Sequence, residues 1–365
     1  MTDQEYIALI ALAQTPKVGP IIAKNLVSYC GGILEIFREK PQHLRKIPSV
    51  GDLIAKNIGL ADFNAAEKEY KWIIKSEITP ICYLESGYPS RFLPIESSPI
   101  IFYFKGNADL NPPRTVGIVG TRQPSIYGQS QCENIISSLK KYNVSIISGL
   151  AYGIDGLAHK KCVEIEIPTV GILGHGLDII YPNQHTALAH KMMKNGGILS
   201  EFVSGTKPDR ENFPMRNRLI AALCDVVIII ESKAQGGSII TVEFANDFNK
   251  DVFALPGNVT ESLSEGCNKL IKQNKAHLLE SADDVGYIMR WDELDTKKPV
   301  QKQLFVEMNE SESALYDLLK LEKEMTIDRI SYSLQKTPSE TSSLLLEMEF
   351  KGLVRPLPGK KFILA

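Results

Sequence analysis

Apolar residues recur at helical spacing over the first eighty positions, most clearly in Tyr6–Leu12, Ile21–Tyr29 and Ala65–Ile74, and predict helices there. From Thr115 to about Leu279 the pattern changes. Short apolar runs rich in β-branched residues (Val116–Val119, Val144–Ile147, Thr169–Leu173, Ile198–Leu199, Val226–Ile230, Val252–Ala254) alternate with amphipathic stretches. Strands apolar on both faces and separated by helices predict a parallel sheet covered on both sides. The fold class expected of this region is α/β, a doubly wound, Rossmann-like parallel sheet. A connecting segment rich in Pro, Tyr and Phe precedes it and ends in a short β-like run, Ile100–Phe104. After it the polar stretch DELDTKKPVQK, Asp292–Lys302, reads as a linker. Glu310–Ala365 then shows three helical patterns and closes on GLVRPLPGKKFIL, two short β runs around a turn, the outline of a winged-helix-like domain. The expected division is a helical domain at 1–80, the sheet domain at 81–290, a linker at 291–309 and the winged-helix-like domain at 310–365.

The helical region contains a short repeat. VGPIIAKNL begins at Val18 and VGDLIAKNI at Val50, each with a glycine at the mouth of a helix. These hairpins resemble helix-hairpin-helix motifs, in which the glycine turn and helix N-terminus expose N–H groups to a phosphate. A plain αα-hairpin packing unit accounts for the same pattern.

Composition narrows the class without deciding the partner. With 365 residues, 44% hydrophobic and 23% charged, the chain is long enough for two or three ordinary cores. A net charge of −2 means that any nucleic acid must be met by a local basic patch. The six cysteines (Cys30, Cys82, Cys132, Cys162, Cys224, Cys267) form no CxxC pair, and no histidines cluster at metal-ligand spacing, so they read as small buried hydrophobes in a reducing compartment. No metal or cofactor is expected. The N-terminal stretch MTDQEYIALIALAQ lacks a basic n-region, and no apolar run approaches the roughly 20 residues of a membrane span. A cytoplasmic protein without a membrane partner is the expectation.

Open α/β sheets receive ligands beyond the carboxyl ends of their strands. Four polar segments qualify. GTRQPSIYG follows the first strand, with Gly120 for the turn and Thr121 and Arg122 placed to receive a phosphate. SGLAYGID follows the second and offers Ser148 and Gly149. His159, one turn beyond it, reads as a structural histidine. NFPMRNR sets Arg216 and Arg218 around Asn217 in front of a helix, a clamp for phosphates or bases unless the arginines are taken by salt bridges to Glu201, Asp209 or Asp225. ESKAQGGS brings Gly236, Gly237 and Ser238 to the start of another helix, a second candidate anion nest. Neither GxGxxG nor GxxxxGK[ST] occurs, so NAD and ATP have no signature.

Taken in order, VGIVGTRQPSIYG, SGLAYGID..AH, GHGLDIIYP, SEF, FPMRNR, GGSIITVEFA, and LPGN with EGCNKLI resemble the DprA/Smf DNA-processing family over roughly Pro80 to Asp284. The flanking regions fit that family's three-part layout. Two positions depart from its usual pattern: Tyr152, where arginine is frequent, and Val242-Glu243, where alanine is common. The resemblance implies a protein that binds single-stranded DNA across the mouth of the sheet, protects it, and loads the RecA recombinase onto it during natural transformation. It also implies a homodimer formed through the Rossmann-like domain. Arg122, Arg216 and Arg218 would neutralise phosphates. Gly120, Gly149, Gly237 and Ser238 would donate backbone N–H groups, and Asn217 would position the loop or touch a base. Phe213 and Tyr181 are candidate stacking rings, although each also suits a core.

Two other classes compete. Nucleotide-cleaving Rossmann enzymes of the lysine-decarboxylase-like type carry GGxGTxxE, and RNRLIAALCDVVIIIESKAQGGSIITVEFA is similar to it. Here the second motif glycine is missing and the carboxylate falls one residue early, at Glu243, which turns it by about 100° around a helix. A non-enzymatic handling protein is therefore expected, fold alone conferring no activity. A winged-helix transcription regulator is the other rival. Its expected recognition helix, Ser339–Phe350, carries Glu340, Glu347 and Glu349 and no basic residue, which opposes entry into a phosphate-lined groove.

Overall fold

The computed structural model describes residues 1–291, 308–322, 324–357 and 361–364. Met1–Asp292 packs as one compact unit and Glu293–Ala365 as a second. Most of the expected linker, positions 292–307, lies outside the described residues, as does the expected terminal turn at 358–360.

The first unit opens with α1 (Asp3–Gln14), started by a Thr2/Glu5 capping box. Next come α2 (Pro20–Cys30), the one-turn α3 (Ile33–Ile36) and α4 (Pro41–Leu44), α5 (Asp52–Gly59) and α6 (Phe63–Lys75). The two repeats share one geometry. Lys17 and Ser49 sit at φ 68° and 67°, and Gly19 and Gly51 then cap α2 and α5 in extended backbone. These helices do not form a core of their own. Leu9, Leu12, Leu26 and Ile73 share one hydrophobic cluster with Ile101, Tyr103, Leu173 and Ile198 of the sheet, so the first eighty residues are packed onto the domain they precede.

Nine strands make the sheet: β1 (Thr79–Cys82), β2 (Ile101–Gly106), β3 (Thr115–Val119), β4 (Ser145–Ser148), β5 (Thr169–Leu173), β6 (Gly196–Ser200), β7 (Val226–Ile229), β8 (Asp251–Ala254) and β9 (His277–Leu278). Their order is β1-β2-β6-β5-β4-β3-β7-β8-β9. The seven from β6 to β9 run parallel, and β2 and β1 extend the sheet antiparallel. Sequence patterning misses β1, whose Pro80 is tolerated at an edge, and β9, too short to show a period.

One face carries α7 (Ile126–Leu139), α8 (Ile154–Glu164) and α13 (Ala282–Ile288), seated on Val116, Ile118, Ile146 and Ile228. The other carries α10 (Asn212–Leu223), α11 (Gly237–Asp247) and α12 (Glu265–Lys272), seated on Val119, Ile147, Val227 and Ile229. The short α9 (Thr186–Met192) joins the cluster that holds the N-terminal helices. The chain winds from β3 outward to β6, then returns to place β7 on the other side of β3. The crevice at the carboxyl ends of β3 and β7 is therefore the topological switch point.

The second unit runs α14 (Glu310–Glu322), β10 (Glu324–Thr326), α15 (Ile327–Leu334), α16 (Pro338–Phe350), β11 (Val354–Leu357) and β12 (Lys361–Leu364). Its antiparallel sheet has the order β10-β12-β11, and Leu315, Leu319, Ile330, Leu345 and Met348 close its core. This is a winged-helix fold. All six cysteines are free and five are buried. Among the described residues no helix is long and apolar enough to cross a membrane.

Candidate nucleic-acid interface

The loop leaving β3 is built to hold Arg122 outward. The Thr121 N–H donates to the Glu231 carbonyl at 2.7 Å, and the Thr121 hydroxyl accepts from the Gln123 N–H at 3.2 Å. Ser125 closes the loop by capping α7, and its N–H and hydroxyl both donate to the buried Glu231 carboxylate, at 2.9 and 2.5 Å. Gly153 packs beneath this loop at φ 76°. A Cβ there would stand 2.3 Å from the Thr121 carbonyl, so only glycine lets α8 begin so close. The Arg122 side chain is exposed, lies with its guanidinium carbon 5.3 Å from the Phe213 ring centre, and has no carboxylate at salt-bridge distance among the described residues.

The NFPMRNR segment differs from expectation. It lies within the first turns of α10 instead of in front of it. Pro214 is compatible with that position because the first N–H groups of a helix have no intrahelical acceptor. Arg216 is consequently buried, and it donates to the carbonyls of Gly149 and Ile172. Its charge answers that of the buried Asp155. Burial lowers the Arg216 pKa to about 10 while Asp155 opposes the fall, so it stays charged at neutral pH. Burial likewise raises the Asp155 carboxyl, with Arg216 holding it down. The Phe213 ring lies between the two arginines, 5.9 Å from Arg216, and its other neighbour is the exposed Tyr181 at 6.4 Å.

Arg218 does not join them. One N–H donates to the Ser97 carbonyl at 2.6 Å and another pairs with Glu201, so the guanidinium is spent on holding α10 against neighbouring loops. Of the three arginines expected in the cleft, Arg122 and Arg216 line it and Arg218 does not. Ser148 is also directed inward, its hydroxyl donating to the Ile118 carbonyl at 2.6 Å across adjacent strands. Gly149 borders the mouth, with its carbonyl taken by Arg216. Asn217 donates to the Gly237 carbonyl at 3.4 Å and ties α10 to the start of α11.

Opposite the Arg122 loop, Gly236 caps α11, and the Ser238 hydroxyl donates to that of Ser232 at 3.0 Å, which fixes the turn. Gly120, Thr121, Arg122, Arg216, Asn217 and the Gly236–Ser238 turn thus line one cavity of about 510 Å³. Two further cations line it that the motifs did not single out, Lys233 and Arg210. Lys233 lies inside the quoted ESKAQGGS segment, where its charge was the available signal. Four cations therefore face one carboxylate, Asp155, in a chain whose net charge is −2. Beside this cavity a second one, of about 760 Å³, begins at Pro124 and Gly153 and is largely apolar, with Lys160 and Lys191 among its lining residues.

His159 is buried on Thr169 at 2.7 Å, and burial drives its pKa down to about 3, so it is a neutral core histidine. Glu243 lines a different depression, against Asn246 and Lys269, whereas Thr241 faces the cavity of the four cations. The carboxylate that a nucleotide-cleaving motif would need is thus turned away from the crevice. Among the described residues no group of three or more His, Cys, Asp or Glu converges as a metal site.

An anion-receptive crevice at the switch point of a Rossmann-like sheet, in a chain that also carries a winged helix, defines a class of nucleic-acid-handling proteins. Residues 79–289 match the family of DNA recombination-mediator protein A, and residues 307–360 match the DprA winged helix domain. The chain belongs to the DprA/Smf family. It is 35% identical over 294 residues to Protein Smf of Synechocystis sp., covering 78% of this chain and 73% of that one. With DNA processing protein DprA of Streptococcus pneumoniae it shares 39% over 202 residues, 55% of this chain and 71% of the relative. The X-ray structure of the Streptococcus pneumoniae protein superposes with a TM-score of 0.67 at 30% identity, over 78% of this chain and 97% of that one. A second solved structure, which describes the single-stranded DNA binding mode of DNA processing protein A from Helicobacter pylori, gives 0.54 at 28% identity, over 59% and 97%.

Proposed function

We propose that this protein binds single-stranded DNA in the crevice between the β3 and β7 loops, protects it and hands it to the RecA recombinase during natural transformation. The observation that carries this reading is Arg122. It is an exposed guanidinium without a carboxylate partner among the described residues, laid on Phe213 and facing the N-terminus of α11. Backbone N–H groups near Gly120 and at Gly237 and Ser238, with Arg122, Lys233 and Arg210, receive phosphates. Tyr181 and Phe213 offer rings to bases without reading their edges, which suits a strand of any sequence. Asn217 and Arg216 hold the crevice in shape from behind. The strand continues over Gly153 into the apolar cavity flanked by Lys160 and Lys191. The Helicobacter pylori relative supports the choice of single strands. RecA as recipient, a homodimer as the working form and a cytoplasmic place are carried over from the resemblance of the sequence motifs to the DprA/Smf family.

No catalytic step is assigned. The displaced Glu243 supports a handling role, and incubation with nucleoside monophosphates is expected to release no free base. The central test titrates labelled oligo-dT and a duplex of equal length at two salt concentrations. Tighter binding of the single strand, weakening as salt rises through counterion release, is the expected result. Duplex binding as tight or tighter overturns the proposal.

A further inference from the structure

The winged-helix unit presents a helix face that the DNA reading leaves unused. In α16, Thr341, Leu344, Leu345 and Met348 are buried and fix which side meets the core. Ser339, Ser343, Leu346 and Phe350 recur at helical spacing on the opposite side and are all exposed. Phe350 is 84% exposed and Leu346 53%, one turn apart. By the same periodicity, Glu349 lies along one flank of this stripe, and Glu340 and Glu347 along the other. Glu340 closes the capping box on Thr337 and lies near Lys336, whereas the cation next to Glu347 and Glu349, Lys351, is engaged with the Glu312 carboxylate at 2.6 and 2.7 Å.

This is the helix that a DNA-binding winged helix lays in the major groove, and both its ends and its centre are wrong for that use. Glu347 and Glu349 would face phosphates, and two large apolar side chains would face a polar groove. A second copy of the same face is excluded by the same charges, since it would set carboxylate against carboxylate. What fits is the converse surface: an apolar anchor with lysines or arginines on either side.

We propose that the exposed face of α16, centred on Leu346 and Phe350, is a docking surface for a partner protein segment that is amphipathic and cationic. The apolar pair supplies the anchor, and the flanking glutamates select basic neighbours and oppose nucleic acid. Nothing in this proposal depends on how the sheet domain meets DNA.

The probe is a labelled amphipathic peptide helix with a Leu/Phe stripe flanked by lysines, titrated into the full chain by fluorescence anisotropy. Two control peptides replace the stripe with serine or the lysines with glutamate. Binding of the first peptide alone is expected. It should weaken about tenfold or more in Leu346→Ser/Phe350→Ser and in Glu347→Lys/Glu349→Lys, within the range seen when interface anchors or charge pairs are lost. Both variants change exposed side chains, so melting curves should match the parent, and in Leu346→Ser/Phe350→Ser the oligo-dT titration on the same sample should match it too. Failure of the first peptide to bind, equal binding of either control, or binding that survives both double variants overturns the proposal. Displacement of the peptide by duplex DNA, or concentration-dependent self-association abolished by Leu346→Ser/Phe350→Ser, overturns it in favour of those occupants.

Discussion

The mouth of the sheet and the exposed face of α16 invert the expectations attached to their folds. A Rossmann-like crevice has no intrinsic preference for nucleic acid, yet here it collects Arg122, Arg210, Arg216 and Lys233 around one carboxylate. A winged helix is commonly a DNA reader, yet its third helix here shows Leu346 and Phe350 between glutamates. Architecture supplies positions, and the side chains placed there decide the partner. Within the crevice the same lesson recurs at smaller scale. Arg122, Arg216 and Arg218 come from two quoted motifs and look equivalent in sequence, but only Arg122 is exposed and free of carboxylate partners among the described residues.

The largest effect should come from breaking the buried arginines. Arg216→Ala leaves Asp155 buried without its counter-charge, and Arg218→Ala does the same to Glu201, each a loss of about 3–5 kcal/mol of stability. Thermal melting should show a drop in both. The Arg218→Ala protein, once folded, should keep parental affinity for oligo-dT. Its stability should also respond to acid. Burial raises the Glu201 carboxyl above its ordinary value and Arg218 opposes that rise. A group whose folded pKa is raised binds its proton more readily in the folded state, so stability grows as pH falls toward that pKa. Removing Arg218 enlarges the penalty at neutral pH, so the variant's deficit should shrink between neutral and mildly acidic buffer. A folded Arg218→Ala protein that has lost single-strand binding would place Arg218 in the site after all.

Arg122→Ala should behave in the opposite way. Its side chain is exposed and its only described ring contact is Phe213, so melting should move less than for either buried arginine. Single-strand affinity should fall by about 1–3 kcal/mol, the scale of a hydrogen bond to a charged group. The salt dependence should become shallower by roughly 0.7 for one lost phosphate contact, whatever the base sequence. A variant that binds with parental affinity and slope would remove Arg122 from the interface.

The strands β3, β5 and β7 were legible because five- and four-residue apolar runs between amphipathic stretches admit little else. So was the paired hairpin geometry, since both copies of the VG turn meet the same left-handed residue and the same cap. Glu201 was among the partners that the sequence offered for these arginines, but which arginine would take it, and which would stay exposed, was not legible. Arg218 is taken by Glu201, which follows β6, and Arg216 by carbonyls beyond β4 and within β5. Those neighbours exist only once the winding order of the sheet is known. The start of α10 at Asn212 was not legible either, since a proline such as Pro214 suits both the first turn of a helix and the loop in front of it. The merging of the first eighty residues into the sheet's core was hidden for a similar reason. Helical periodicity shows that Leu9 and Leu26 have a buried side, and it is silent on what buries them.

The smallest expected change is at Tyr152, where the resemblance noted in the sequence implies an arginine. Tyr152 is 40% exposed and lines the small cavity that also holds Arg122, Tyr181 and Phe213. Its hydroxyl donates to the Gln184 Oε1 at 2.6 Å, and its ring meets His185 edge-on at 5.6 Å, so it is braced against the loop that leads to α9. Tyr152→Arg would add a guanidinium beside Arg122 at the price of that brace. Both effects are small because the position is partly open to solvent. If the single strand crosses this mouth, the variant should bind oligo-dT slightly more tightly at low salt, by under about 1 kcal/mol, a surface-charge scale. Its salt dependence should steepen by roughly 0.7, the signature of one added phosphate contact on a single strand. Affinity and slope equal to the parent's, in a protein that melts normally, would mean that the strand passes elsewhere. The crevice would then have to be probed through Lys233 and Arg210 instead.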